Sequence, residues 1–247
     1  MTAAAKALSF RNIFMTFADG TKALQDVSFS VARGEFVTVV GPSGCGKSTL
    51  LRIASGLLGH TSGEVVVDRE RIGYVFQDPT LLPWRTVLTN VELLTELHNQ
   101  PEKERRKKAQ EAIELVGLTG FENHYPKALS GGMRMRVSLA RTMTLEPSVF
   151  LFDEPFAAVD EITRQRLNEE TLRLFERNRF AGLFITHSIA EAVFLSSRVH
   201  VMSVRPGRIV ASFEIPFSYP RDPSLRFDPE FASLGGEISK ALQEAHT

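Results

Sequence analysis

Apolar and polar positions alternate in the chain before residue 41, as at Val27, Phe29 and Val31, and the triplets ADG (18–20) and ARG (32–34) interrupt the alternation. A period of two between turn signals predicts strands joined in hairpins. EFVTVV (35–40) is an apolar run leading straight into the glycine-rich GPSGCGKST (41–49), and KSTLLRIASGLL then has helical spacing. The prediction is strand, loop, helix. SVFLF (148–152) and GLFIT (182–186) are nearly continuous apolar runs ending in polar residues, the pattern of strands covered on both faces. HVMSV (200–204) and RIVASF (208–213) flank Pro206 and Gly207, which predicts a closing hairpin.

From Asp78 to about Glu146 the composition shifts toward helix formers, and PEKERRKKAQEAIELVGL opens with Pro101 in a favoured first-turn position. Ala109, Ala112, Ile113 and Val116 share one face of that helix. The basic run Lys103 to Lys108 therefore falls mostly on the other face and reads as a solvated surface. After Pro216 the chain is rich in proline, serine and charge until a short helix expected within EFASLGGEISKALQEA. No internal repeat is found. A chain of 247 residues is ample for one large α/β domain with an inserted lobe, and one domain is expected.

Charge and cysteine content narrow the class. Lys plus Arg and Asp plus Glu are equal at 29 each, so no net field draws the protein to nucleic acid, and no nucleic-acid partner is expected. Cys45 is the single cysteine, which excludes an intrachain disulfide and fits a reducing compartment. The first residues lack the apolar core of a secretory signal. No apolar run approaches the roughly 20 residues that span a bilayer. The expectation is a cytoplasmic protein that reaches a membrane only through a partner.

GPSGCGKS fits G-x-x-x-x-G-K-[ST] in its confirming context, after a strand and before a helix. Gly41, Gly44 and Gly46 let the backbone wrap phosphates, with Pro42, Ser43, Cys45 and Thr49 completing the loop. Lys47 neutralises charge on the β- and γ-phosphates of a nucleotide, and Ser48 offers a hydroxyl to Mg²⁺. Cys45 has no resolving thiol, which favours a small filler over a redox role. In SVFLFDEP a buried strand delivers Asp153 and Glu154 to its carboxyl end, where α/β sheets bind ligands. Asp153 suits Mg²⁺, directly or through water, and Glu154 is the candidate general base for the attacking water. His187 ends another such strand, placed either as a solvent-facing cap or as a contact to the γ-phosphate or the water. LSGGMRMRVSLA (129–140) reads as a second small-residue turn at a helix start, with the N–H groups of Ser130, Gly131 and Gly132 unobstructed.

The ordered set GPSGCGKST, Gln77 after GYVF, LSGGM, FLFDEP, AAVD with Asp160, and His187 resembles the ATP-binding subunit of an ABC transporter, from Phe17 to the RPGRI stretch at 205–209. The resemblance implies an α/β P-loop NTPase (RecA-like) core with an N-terminal antiparallel β-subdomain. An α-helical subdomain is inserted at about 78–146, and residues 214–247 form a tail. It also implies two subunits head to tail, an expected homodimer, with Ser130, Gly131 and Gly132 of one closing over ATP held by the other. Gln77 then helps sense Mg²⁺ and the permease, Asp160 works across the interface, His187 contacts the γ-phosphate or water, and Phe17 stacks on adenine unless it is simply an apolar strand residue. VFQDPTLLPWRTVLTNV, FDEPFAAVDEITR and ITHSIAEAVFLSSRVHVMSVRPGRI are similar to importers for nitrate, sulfonates, taurine and pyrimidine precursors. The implied partners are integral-membrane permease subunits and, indirectly, a solute-binding protein, at the inner face of the cell membrane.

Departures from the family pattern are Met133 and Met135, where many relatives have Gln and where packing on a helix face is expected, Ser188 after the histidine, and Val159 before Asp160. VVVDRERIGYVFQ is also short before Gln77. Trp84 reads equally as lining a permease groove or as packed within the lobe. The rival classes are an ABC-type ATPase uncoupled from transport, which would favour a fused second unit or a long heptad insertion, and an unrelated P-loop kinase or GTPase.

Overall fold

The computed structural model describes residues 6–67 and 69–245. Among the described residues nine strands form two sheets. β1 (Lys6–Thr16), β2 (Lys22–Ala32) and β4 (Ser62–Val67) make an antiparallel sheet in the order β2-β1-β4. The core sheet contains β3 (Phe36–Val40), β5 (Ile72–Val75), β6 (Val149–Asp153), β7 (Ala181–Thr186), β8 (Arg198–Met202) and β9 (Ile209–Glu214), ordered β5-β6-β7-β3-β8-β9. The first five of these strands are parallel, and β9 closes the edge antiparallel to β8.

β3 and β7 are buried along their whole length, which explains why their sequences do not alternate. Their side chains still divide by parity. Val37, Val39, Leu151, Leu183 and Ile185 pack toward the antiparallel sheet and the helix α1 (Lys47–Ala54). Phe36, Phe150, Phe152 and Phe184 face the other way. There they meet Phe175 and Phe180, with Phe150 and Phe180 ring centroids 4.4 Å apart and Phe36 edge-on to Phe175 at 5.3 Å.

The helices on that second face follow the chain. They are α2 (Val87–Val91), α3 (Leu93–Leu97), α4 (Glu102–Leu115), α5 (Gly131–Met143), α6 (Glu161–Asn178), α7 (Ile189–Leu195) and α8 (Pro229–Glu244). α4 starts directly after Pro101 and buries Ala109, Ala112 and Ile113 while the basic run stays outward, as its spacing predicts. Met135 is buried and Met133 packs against the same core, which matches the packing expected of both.

Two expectations need correction. The 32–34 turn does not form a hairpin: β2 and β3 lie in different sheets, and the turn carries the chain from one to the other. The tail helix is not short. α8 runs 16 residues, is capped by Asp228 accepting from the Glu230 N–H, and buries Phe231 and Ile238. Among the described residues no helix is long and apolar enough to cross a membrane.

His200 in β8 is buried, with Nδ1 2.7 Å from Ser212 Oγ and its ring 4.8 Å from Phe29. Burial, and then the Arg198 charge, push its pKa down to about 4. The unfolded chain binds this proton more tightly, so stability falls as pH drops from about 6.5 through 4, by roughly 3 kcal/mol in all. Urea unfolding of His200→Gln between pH 7.5 and 4.5 is expected to show a flatter pH dependence than the parent. Parallel curves would remove His200 from the acid response.

Candidate active site

The chain from β3 to α1 turns tightly through 41–46 because its glycines allow it. Gly46 has φ +113°, and a Cβ there would sit 2.8 Å from Leu24 Cδ2 and 2.9 Å from the Ala23 carbonyl oxygen, so no other residue fits without backbone movement. Lys47 is 4 % exposed, and its Nζ donates to the carbonyls of Gly41 at 2.8 Å and Pro42 at 2.9 Å. Cys45 is buried, and burial pushes its thiol pKa up, in keeping with a filler side chain.

The strand ends of β6 and β7 complete the cluster. Ser48 Oγ donates to Asp153 Oδ1 at 2.7 Å. Glu154 follows in a left-handed conformation (φ 45°) with its N–H on the Ile185 carbonyl at 3.0 Å. Its carboxylate lies between two groups: Oε1 is 3.4 Å from Lys47 Nζ, and Oε2 is 3.3 Å from His187 Nδ1. A non-glycine residue held at positive φ is a strained element that the surrounding contacts must stabilise. Here the β6–β7 pairing does so and aims the carboxylate at the loop.

Phe17 is at the tip of the β1–β2 hairpin, where its N–H donates to the Thr21 carbonyl. It lines a cavity of about 140 Å³ with Ala23, Gly44, Gly46, Lys47, Ser48, Thr49, Glu154 and Arg205. At 37 % exposure Phe17 is not a core strand residue.

Three groups singled out in the sequence lie outside this cavity. Gln77 is exposed beyond the end of β5. Ser130 caps α5, its hydroxyl accepting from the Met133 N–H. Asp160 caps α6, and hydrogen bonds from Thr163 hold its carboxyl below the usual range. The last two turns pack together: a Cβ on Gly132 would lie 2.5 Å from Thr163 Cγ2. Ser188 caps α7 by accepting from the Glu191 N–H, so it keeps a capping oxygen at that position. Trp84 is 71 % exposed and is not packed within the lobe.

Two residues escaped the sequence reading. Tyr74, paired with Leu151 across β5 and β6, donates its hydroxyl to Asp153 Oδ2 at 3.0 Å. Burial and the neighbouring Asp153 charge push its pKa well above that of an ordinary phenol, so it remains a donor. Arg205 donates from Nε and Nη2 to the Gly44 carbonyl at 3.1 and 2.8 Å. Only the pairing of β5 with β6 reveals the first, and only the packing of the β8–β9 turn on the loop reveals the second.

Comparison with known proteins agrees with the geometry. Residues 24–157 match the family model described as ABC transporter. An uncharacterised ABC transporter ATP-binding protein of Methanocaldococcus jannaschii is 45 % identical over 246 residues, covering 97 % of this chain and 91 % of that one. The aliphatic sulfonates import ATP-binding protein SsuB of Bacillus thuringiensis is 45 % identical over 206 residues, 81 % of each chain. Among solved structures, a dimeric ATP-binding cassette in a post-hydrolysis state bound to ADP and Pi superposes with TM-score 0.76 at 32 % identity, covering 85 % of this chain and 100 % of that one. A family model matched over more than half of the chain, and a relative 45 % identical over nearly its whole length, show that the chain belongs to the ABC transporter family as its ATP-hydrolysing, ATP-binding cassette.

Proposed function

We propose that this cassette powers import of a small solute of the nitrate, sulfonate, taurine or pyrimidine-precursor kind, working as a homodimer against integral-membrane permease subunits at the cytoplasmic face. The observation that carries the reading is the Lys47–Glu154–His187 cluster at the 41–49 loop, with Ser130–Gly132 outside the cavity of their own chain. A glycine-rich loop lining one cavity, and a second small-residue turn outside it, fit a site completed by a second copy. The likeness to an aliphatic sulfonate import protein supports the solute class. The solute itself is selected by the permease and a solute-binding protein.

In this reading the whole chain is one cassette, with a helical lobe at about 78–146 and a tail from 214. The backbone of Gly41, Pro42, Ser43, Gly44, Cys45, Gly46 and Thr49 cradles the phosphates of ATP, Lys47 offsets their charge, and Phe17 stacks on the adenine. Ser48 and Asp153 present hard oxygen donors side by side, which fits Mg²⁺; the ion would neutralise charge on the phosphates. Glu154 takes the proton of the attacking water. His187, 3.3 Å from the Glu154 carboxylate, orients that water and the γ-phosphate. Gln77 and the exposed Trp84 face the permease and pass it the state of the site, and Asp160 sits at the dimer seam.

Affinity capture of the tagged Glu154→Gln chain from gently solubilised native membranes with Mg-ATP is expected to recover a multi-span permease. A chain recovered alone or with nucleic acid would leave the ATPase standing and withdraw the transport reading.

A further inference from the structure

We propose that Arg205, in the turn between β8 and β9, is a positioning residue for the nucleotide: its guanidinium pins and polarises the 44–45 peptide of the phosphate loop and adds positive charge to the cavity wall. It thereby strengthens the hold on nucleoside diphosphates and triphosphates alike. The inference rests on the reading of residues 41–49 as the phosphate cradle.

The two hydrogen bonds from Arg205 to the Gly44 carbonyl, at 3.1 and 2.8 Å, are charge-assisted and stronger than neutral ones. A trans peptide is planar, so fixing the carbonyl of Gly44 also fixes the Cys45 N–H in the opposite direction. That N–H makes only a long bond of 3.4 Å, to the Pro42 carbonyl, and remains a ready donor to an anion. A cation on the carbonyl side draws electron density from the amide and strengthens the N–H as a donor. Gly44 itself has φ +76°, and a glycine holds such a conformation loosely unless something external fixes it. Pre-ordering the loop reduces the entropy lost on binding.

Arg205 is held in place for this task. Gly207, two residues on, donates its N–H to the Ala23 carbonyl at 2.9 Å and accepts from the Gln25 N–H at 3.0 Å. A Cβ on Gly207 would lie 2.3 Å from the Cys45 carbonyl oxygen, so the turn lies directly against the phosphate loop. Lys47 shares its charge with Glu154 at 3.4 Å. Arg205 bonds the Gly44 side of the loop and makes no hydrogen bond to the Lys47–Glu154–His187 cluster. Its influence should therefore fall on affinity and not on the chemistry at the γ-phosphate.

The test is calorimetric binding of Mg-ATP and Mg-ADP to the full chain, with steady-state hydrolysis alongside. Arg205→Ala is expected to raise both dissociation constants about tenfold, with a matching rise in KM and little change in kcat. Arg205→Gln, a shorter and uncharged polar side chain, should lose nearly as much, while Arg205→Lys, retaining a charged donor for Gly44, should recover part of the loss. Unchanged affinity for both nucleotides, a loss confined to ATP, or a fall in kcat at constant KM would each overturn the proposal. Lys47→Ala separates the two levels. If it abolishes binding while Arg205→Ala does nothing, only the role of Arg205 falls, whereas if it too leaves binding intact, the cradle reading fails.

Discussion

Glu154→Gln is expected to lower ATP turnover by about 10²-fold or more, equivalent to about 2.7 kcal/mol of barrier, while ATP binding survives. The substitution keeps the shape of the side chain and removes its capacity to take a proton. Binding survives because Lys47 does not depend on Glu154 for its position: the carbonyls of Gly41 and Pro42, at 2.8 and 2.9 Å, hold Nζ closer than the carboxylate does at 3.4 Å. Removing the negative charge beside the γ-phosphate also reduces repulsion with the nucleotide, so affinity should hold or rise. Phosphate release and nucleotide binding measured on one preparation check both halves. Near-normal hydrolysis would remove Glu154 from the general-base role.

Ser130→Arg is the second large effect, and its expected signature is different. Hydrolysis should disappear while nucleotide binding to the isolated monomer stays unchanged, because Ser130 is outside the cavity lined by Phe17, Lys47 and Glu154. Within its own chain the serine caps α5 by accepting from the Met133 N–H, and loss of such a cap removes only about 1 kcal/mol from the helix start. In the proposed two-subunit arrangement an arginine projecting from that exposed turn would meet the facing subunit and prevent closure over the triphosphate. Binding that fell together with hydrolysis in the monomer would place Ser130 in its own chain's site and end the two-subunit reading.

The 41–49 loop was legible because its pattern is local: a strand, six turn residues and a helix start are consecutive, whereas what its glycines must accommodate, Leu24 and Ala23 beside Gly46, was not. Asp153, Glu154 and His187 were legible as strand ends, since an apolar run that stops in polar residues marks the carboxyl edge of a parallel sheet. Their mutual distances were not legible. These depend on β6 and β7 being neighbours, which a pattern of buried runs does not specify. Tyr74 shows the limit clearly, because its phenol reaches Asp153 only through the β5–β6 register. The 32–34 turn misled for a related reason. Its residues specify a change of direction, and the burial of FVTVV on both faces, not the turn, decides that β3 joins another sheet. The tail helix looked short because Pro220, Pro223 and Pro229 crowd its approach, yet Pro229 occupies a first-turn position where no N–H is needed.

β3 leaves the ribosome long before the strands it needs. Phe36 pairs with Gly182 and Val37 with Arg198, so both edges of this fully buried strand stay open until β7 and β8 have been synthesised. Through that interval the newborn chain carries an unpaired strand of the kind that attracts misassociation, next to a glycine-rich loop whose hydrogen-bond partner Arg205 has not yet been synthesised. Holdase chaperones should engage the nascent protein around residues 36–40 and release it only after β8 has emerged.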